Sequence, residues 1–367
     1  VEQLAWTNQS ERDFAIHNSG VVYYVNDGSR SNDVFTSAAG STDQTGLAPD
    51  LPLPSLADVL DRYDLEPGDE VRIDTGLYEA STSTRLGYLD SGTPAEPVVI
   101  RGSPAAAGTW FTHGLHLENA RGIQVNNLRF QAPPGAGATI RSSEDVVFDE
   151  VDVWNAGHGF YVMTSSNVFL RHVVAAFAKT NGLVSEASFN TRLEFGTLWS
   201  NAAAQVVTRN IPQAGGSPDY AVSSVSVSNS ILGAFGTRVP AYEIYGNLWA
   251  NYNNLYLRNG ALAALSHTGP FSVEYDSMGA WTGSGFGQDG QSLSHDPLFA
   301  NAPGRDLRLQ SAGGRWVPAL ASWTNDAATS PLIDAGDPAA DYAAEEGPNG
   351  GRANIGRYGN TPEASKT

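Results

Sequence analysis

The chain has 367 residues, 39 of them acidic and 21 basic, a formal net charge of −18, and no cysteine. That charge repels phosphate backbones and anionic membrane surfaces, which argues against nucleic-acid and membrane-surface binding. Without cysteine there are no disulfides, thiolate metal sites or thiol nucleophiles, and no apolar run approaches the roughly 18 residues a membrane span needs.

In chain order, the first helical signal is SLADVLDRY, residues 55–63. Ser55 is a good N-cap with Asp58 three residues on, and Leu56, Val59, Leu60 and Tyr63 fall on one face. Pro67-Gly68-Asp69 makes a turn, and Glu70 to Asp74 alternates as a strand. An amphipathic helix delivered to the first strand of a stack reads as a cap over an apolar end.

From about residue 98 the pattern changes to short Val-, Ile-, Leu- and Phe-rich strands separated by Gly, Asn and Ser. GIQVNNLRF, DVVFDEVDVW, NVFLRHVVAA, RLEFGTLWSN, SVSVSNSILG and ANYNNLYLRN align with one another. Taking Val125, Phe148, Leu170, Phe195, Val227 and Tyr252 as equivalent gives steps of 23, 22, 25, 32 and 25 residues. The long step holds a turn-rich insertion, IPQAGGSPDY at 211–220. A period of about 20–25 residues with strands and no helix between them predicts a solenoid of β-coils. The Leu/Asn pattern of leucine-rich repeats and the hairpin turns of a sandwich are both missing. Asn126, Asn127, Asn229, Asn253 and Asn254 fall at the polar step and are expected to stack as a ladder that satisfies the corner backbone.

YYVNDGS (23–29), Pro54-Ser55-Leu56 and EPGDEVRIDTGLYEA (66–80) resemble the opening segment of bacterial right-handed parallel β-helix proteins of the pectate-lyase-like superfamily. DPLFAN (296–301), DLRLQSAGGRW (306–316), SPLIDAGDP (330–338) and GPNGGRANIGRYGNTPEAS (347–365) resemble their terminal segment. The resemblance implies an all-β, single-domain right-handed parallel β-helix: an opening segment with a capping helix over 1–97, coils over 98–300, and a terminal coil and irregular cap over 301–367. It implies a secreted or cell-surface location. It does not settle activity, because the superfamily holds lyases, hydrolases, epimerases and non-catalytic surface modules.

Asp149, Glu150 and Asp152 lie together in VVFDEVDVW. Stacking is expected to set Asn126 beside Asp149 and Arg171, Asn127 beside Glu150 and His172, and Arg129 beside Asp152. One reading is an acidic groove whose carboxylates hold Ca²⁺; the other is a ladder of Asp149–Arg171 and Arg129–Asp152 ion pairs. His158, Tyr161, Arg171, His172 and Lys179 cluster in the next stretch. Lyases of this fold use Arg or Lys as general base, so the resemblance implies catalytic roles for Lys179, Arg171, His158 and Tyr161. Arg129, His172, Trp154 and Trp199 are candidates for substrate binding, the last two by ring stacking. Tyr242, Tyr245, Trp249 and Tyr256 are further aromatics of this kind, core-filling in the plainer reading. Glu186 or Glu194 would supply the second carboxylate of a hydrolase. His295-Asp296 reads as a strand lead-in, and Asp334 and Asp337 read as turn residues or a second Ca²⁺ site.

These residues imply a protein that binds a polysaccharide or cell-surface glycan, acidic in the leading reading, and that cleaves it by β-elimination if it is catalytic. The alternative is a non-catalytic structural or adhesive module of a large bacterial surface protein. A monomer is expected, since both solenoid ends have candidate caps: the helix and the tail after 330.

Overall fold

The computed structural model describes residues 20–212, 220–268 and 270–367; most of the 211–220 insertion lies outside the described residues. Each coil lays down a strand, turns a tight corner, lays down a short second strand, turns again and lays down a third. Glu144–Asp149, Asp152–Trp154 and His158–Met163 form one such coil. Coil upon coil, these strands build three sheets of nine, eight and nine strands. The first (sheet 1) runs from Val22–Val25 to Asn247–Asn251, the second (sheet 2) from Gly76–Tyr78 to Asn254–Arg258. The third (sheet 3) starts at Thr84–Leu86 and ends with Phe271–Tyr275, which pairs antiparallel to Leu262–Thr268 where every earlier pairing in the three sheets is parallel.

Strand alternation sends every second side chain inward, where like stacks on like. In sheet 1 the inner column is Val71, Ile100, Val125, Phe148, Leu170, Leu193, Val227 and Ala250. From Val125 the steps are 23, 22, 23, 34 and 23 residues. The expected equivalence of Val125, Phe148 and Leu170 holds. Phe195 and Tyr252 lie two residues out of that register, and Leu193 and Ala250 hold the inner positions. Phe195 and Tyr252 instead share the corner column with Asn127, Glu150, His172 and Asn229, all with φ between 49° and 58°. A left-handed corner costs any non-glycine residue some strain. Here an aromatic ring accepts it, which imitates a strand hydrophobe in sequence.

The expected Asn ladder is not formed by those five residues, because Asn126, the Asn127/Asn229 pair, Asn253 and Asn254 belong to four successive columns. Asn127 donates to the Ser103 carbonyl, and Asn253 bridges the Val227 carbonyl and the Ser230 N–H. Corner backbone is satisfied instead by a column of buried serines. Ala120 N–H donates to Ser143 Oγ, Ser143 N–H to Ser165 Oγ, and Ser165 N–H to Ser188 Oγ, each at 3.1 Å.

Helix α1 (Leu56–Arg62) forms where the spacing predicts it, with Ser55 Oγ accepting from Asp58 N–H at 3.2 Å. It buries Leu56 and Val59 over the first coil, and Tyr63 packs on Tyr23 with ring centroids 4.8 Å apart. The other end is closed by helix α2 (Met278–Thr282), whose Trp281, 2% exposed, packs on Tyr242 and Tyr275. The tail after 330 does not cover that end. The segment from Leu293 onward runs back along the outer face of sheet 2, where Leu307, Leu309, Leu332 and Ile355 meet Trp154, Val174, Ala176, Trp199 and Ile231 in a second apolar core. The middle of sheet 2, strands Val174–Ala176 and Thr197–Trp199, is therefore buried on both faces, as their apolar sequence requires.

A candidate glycan groove on sheet 1

Among the described residues, no segment covers the middle of the outer face of sheet 1. Down its middle, register places Gln124, Val147, Phe169, Arg192, Ser226 and Trp249 one above another. At about 4.8 Å per strand the row spans roughly 24 Å. One flank is an Asx ladder on left-handed corner residues: Asn190 Nδ2 donates to Asn167 Oδ1 at 2.8 Å, and Asn167 Nδ2 to Asp145 Oδ1 at 2.9 Å. The other flank is the column Asn126, Asp149, Arg171 and Glu194. Three cavities of about 430, 210 and 360 Å³ lie along this face and share Gln124, Val147 or Phe169 between neighbours.

Two of the flank charges, Asp149 and Arg171, hold one another. Arg171 donates to Asp149 Oδ2 at 2.7 Å, and His172 Nδ1 meets Asp149 Oδ1 at 2.8 Å. Burial pushes the Asp149 carboxyl up, but these two partners outweigh it and bring it down to about 2. Asp149 in turn raises the guanidinium pKa of Arg171 further. Arg192 differs. Its Nε donates to Asn190 Oδ1 at 2.9 Å and its guanidinium lies 4.8 Å from the Phe169 ring, yet among the described residues it has no carboxylate partner. A fixed, exposed guanidinium over an aromatic ring, beside amides, suits a pyranose carrying a carboxylate.

Of the expected site residues, Arg171 and His172 are thus at this groove, together with Asp149 and Glu150, and His172 is buried with its Nε2 closed off from solvent. The stacking of Asn126, Asp149 and Arg171 and the Asp149–Arg171 pair are as expected. Arg129 does sit beside Asp152 in register, but the expected ion pair is not made. Asp152 pairs with Arg357 from the tail at 3.0 Å, while Arg129 donates to the Ala106 carbonyl and faces Trp110. Trp154, 3% exposed, and Trp199 are buried under the tail and are core residues, not sugar platforms. The sequence offers no hint of that cover, since nothing local marks the tail as returning.

The expected catalytic cluster is dispersed. Lys179 is exposed on the corner after sheet 2, separated from Arg171 by the whole strand Val174–Ala176. His158 and Tyr161 lie on sheet 3, where His158 Nδ1 meets Thr180 Oγ1 and Tyr161 donates to Glu186 Oε2. Burial, with Glu186 beside it, raises the Tyr161 hydroxyl to about 12, and burial lowers His158. Glu186 is held by Arg209 on sheet 3, away from Asp149 and Asp152 on the other strands, while Glu194 stands in the column of Asp149 with Arg171 between the two carboxylates. Asp149, Glu150 and Asp152 do not fit Ca²⁺ either. Two are neutralised by arginines, and among the described residues no three His, Asp or Glu side chains gather as ligands. Asp334 and Asp337 cap turns, at Gly350 and Ala339, and Asp296 accepts from Tyr256. Sequence reasoning missed Gln124, Val147 and Phe169. The aligned repeats carry that signal, because these are the outward positions directly before the inner Val125, Phe148 and Leu170.

The chain is a parallel β-helix. No protein-family model matches it, and no curated protein does. Among solved structures it is similar to pectate lyase Pel9A, at 14% identity over 93% of this chain and 96% of that one, with a TM-score of 0.49. It is also similar to a rhamnogalacturonan lyase, at 10% identity over 77% and 91% and a TM-score of 0.36. A third is the GH136 lacto-N-biosidase from Eubacterium ramulus, at 11% identity over 67% of each chain and a TM-score of 0.26. Likeness at this level concerns the fold alone. Among the described residues no helix is long and apolar enough to cross a membrane.

Proposed function

We propose that this chain is a non-catalytic glycan-binding β-helix, a module that lays an extended acidic polysaccharide along sheet 1. The supporting observation is Arg192, exposed, held over Phe169 and without a carboxylate partner among the described residues, in a cavity lined also by Gln124, Val147, Arg171 and Glu194 and flanked by Asn190. Sugar C–H faces pack on Phe169 and Val147, hydroxyls pair with Gln124 and the flanking amides, and a uronate carboxylate pairs with Arg192. A local guanidinium is what a net charge of −18 demands of any site that takes an anion.

Binding without cleavage fits the geometry better than β-elimination. Arg171 is held protonated by Asp149 and is no base, and Lys179 stands on another corner. The reading carries with it a location outside the cell, where such polymers lie. Affinity electrophoresis in polygalacturonate, alginate and polyglucuronate gels tests it. Retardation by at least one polymer is expected, weakened at least tenfold in Arg192→Ala and in Phe169→Ala and unchanged by a chelator. Absence of retardation by all three, or an Arg192→Ala protein that binds as wild type, would sink the proposal. A rise in absorbance at 235 nm that Lys179→Ala abolishes would restore the lyase reading.

A further inference from the structure

The row on sheet 1 ends in a second feature. Asn247–Asn251 is the last strand of the sheet, and beyond it stand α2 and residues 283–288. Between them lies a cavity of about 290 Å³. Trp249, 55% exposed, Phe286 and the buried Trp281 line it, with the Trp281 and Phe286 ring centroids 6.1 Å apart. Gln288 fixes the far wall, accepting from Ala250 N–H at 2.6 Å and donating to the Phe286 carbonyl at 3.1 Å. Asn247 and Ser266 lie on the rim, and among the described residues their side chains make no hydrogen bond to protein. Among the described residues the lining carries no carboxylate, lysine or arginine. Its titratable member, His267, is stacked flat on Tyr245 with centroids 3.9 Å apart and faces Glu243.

We infer that this pocket is a terminal-sugar subsite: it takes one uncharged pyranose at the end of the glycan held on sheet 1. Such a subsite deepens the groove reading and rests on it. Trp249 belongs to both features, as the last residue of the outward row and one that lines the pocket, so a chain lying over Phe169 and Arg192 arrives at the pocket two strands later. The wall formed by residues 281–288 stops it there. Aromatic side chains in the lining pack against the apolar face of a pyranose, and the amide of Asn247 and hydroxyl of Ser266 meet its hydroxyls. Without a cation in the lining, a uronate would be desolvated there with nothing to pair it, which selects a neutral sugar.

Saturation-transfer NMR and calorimetry on the full chain with methyl β-D-glucopyranoside, methyl β-D-galactopyranoside and methyl α-D-mannopyranoside test the inference. At least one glycoside should bind saturably, and Trp249→Ala should weaken it at least tenfold. Asn247→Ala, a rim change with nothing to unfold, should weaken it severalfold and serves if Trp249→Ala loses its wild-type melting temperature. Failure of all three glycosides to bind, or equal binding by wild type and both variants, overturns the inference. Polyuronate retention by the wild type is read separately. If it persists while the glycosides fail, the pocket inference falls and the groove stands; if it fails, the groove reading falls first.

Discussion

Replacing Asp152 with Ala strands a buried cation. Arg357 reaches across from the tail to Asp152 Oδ1 at 3.0 Å, with the two side chains 9% and 13% exposed. Its backbone N–H donates to Thr197 Oγ1, and Gly356 N–H donates to the Asn229 carbonyl. Removing one partner of such a buried pair costs about 3–5 kcal/mol, because the remaining charge has lost both its water and its counter-ion. At about 1.4 kcal/mol per factor of ten, the open population of this tail segment should rise roughly a hundred- to a few-thousand-fold. The coils keep all their ladders, so the loss is local. Hydrogen exchange at the Gly356 and Arg357 amides is the assay, with limited proteolysis of the tail beside it. Pairing Asp152→Ala with Arg357→Met removes the stranded charge and should restore most of the protection. Exchange at those two amides within threefold of wild type in Asp152→Ala would contradict this account, since the tail would then be held by apolar contact alone.

Gly233 lies under the Trp199 ring: a Cβ there would sit 2.1 Å from Cε3. Gly233→Ala should therefore cost about 1–3 kcal/mol by overpacking and break the Trp199–Tyr256 stack, visible in the tryptophan emission and in a lowered urea midpoint. Burial raises the Glu345 carboxyl from 4.5 to about 7, against two N–H donors from Asn354 and Asn360. The folded chain keeps a proton that the unfolded chain releases, so the contribution of Glu345 to stability is fullest below pH 4.5 and falls by up to roughly 3 kcal/mol as pH rises to about 7; melting curves of Glu345→Gln should lack that slope. Asp149 behaves oppositely. With its carboxyl at about 2 instead of 3.8, it adds about 2 kcal/mol above pH 3.8 that is lost as pH falls towards 2. Asp149→Asn should flatten that acid limb, and acid titrations that superimpose on wild type would rule out the Arg171–His172 clasp.

The local order of residues determined the coil. Alternation selected the inner faces, a step of about 23 residues set one turn, and Ser55 with its apolar face marked the N-terminal cap. These follow from short-range rules, because a strand or a helix start is decided by residues a few positions apart. Even the stack of Asn126, Asp149 and Arg171 was legible, since equivalent residues of successive coils must be neighbours. Two placements fail where a corner accepts any residue: Phe195 and Tyr252 look like strand hydrophobes but sit at positive φ.

Which face stays open follows from long-range packing. Trp154, Trp199 and Asp152 have the composition of a binding surface, and they are buried because a segment more than a hundred residues later returns across sheet 2. Phe169, Arg192 and Trp249 form an open row because, among the described residues, no such segment returns across sheet 1. Repetition fixes what lies above and below each side chain. What lies in front of it depends on the path of a distant, non-repeating segment, whose docking is an apolar match between two surfaces that share no period.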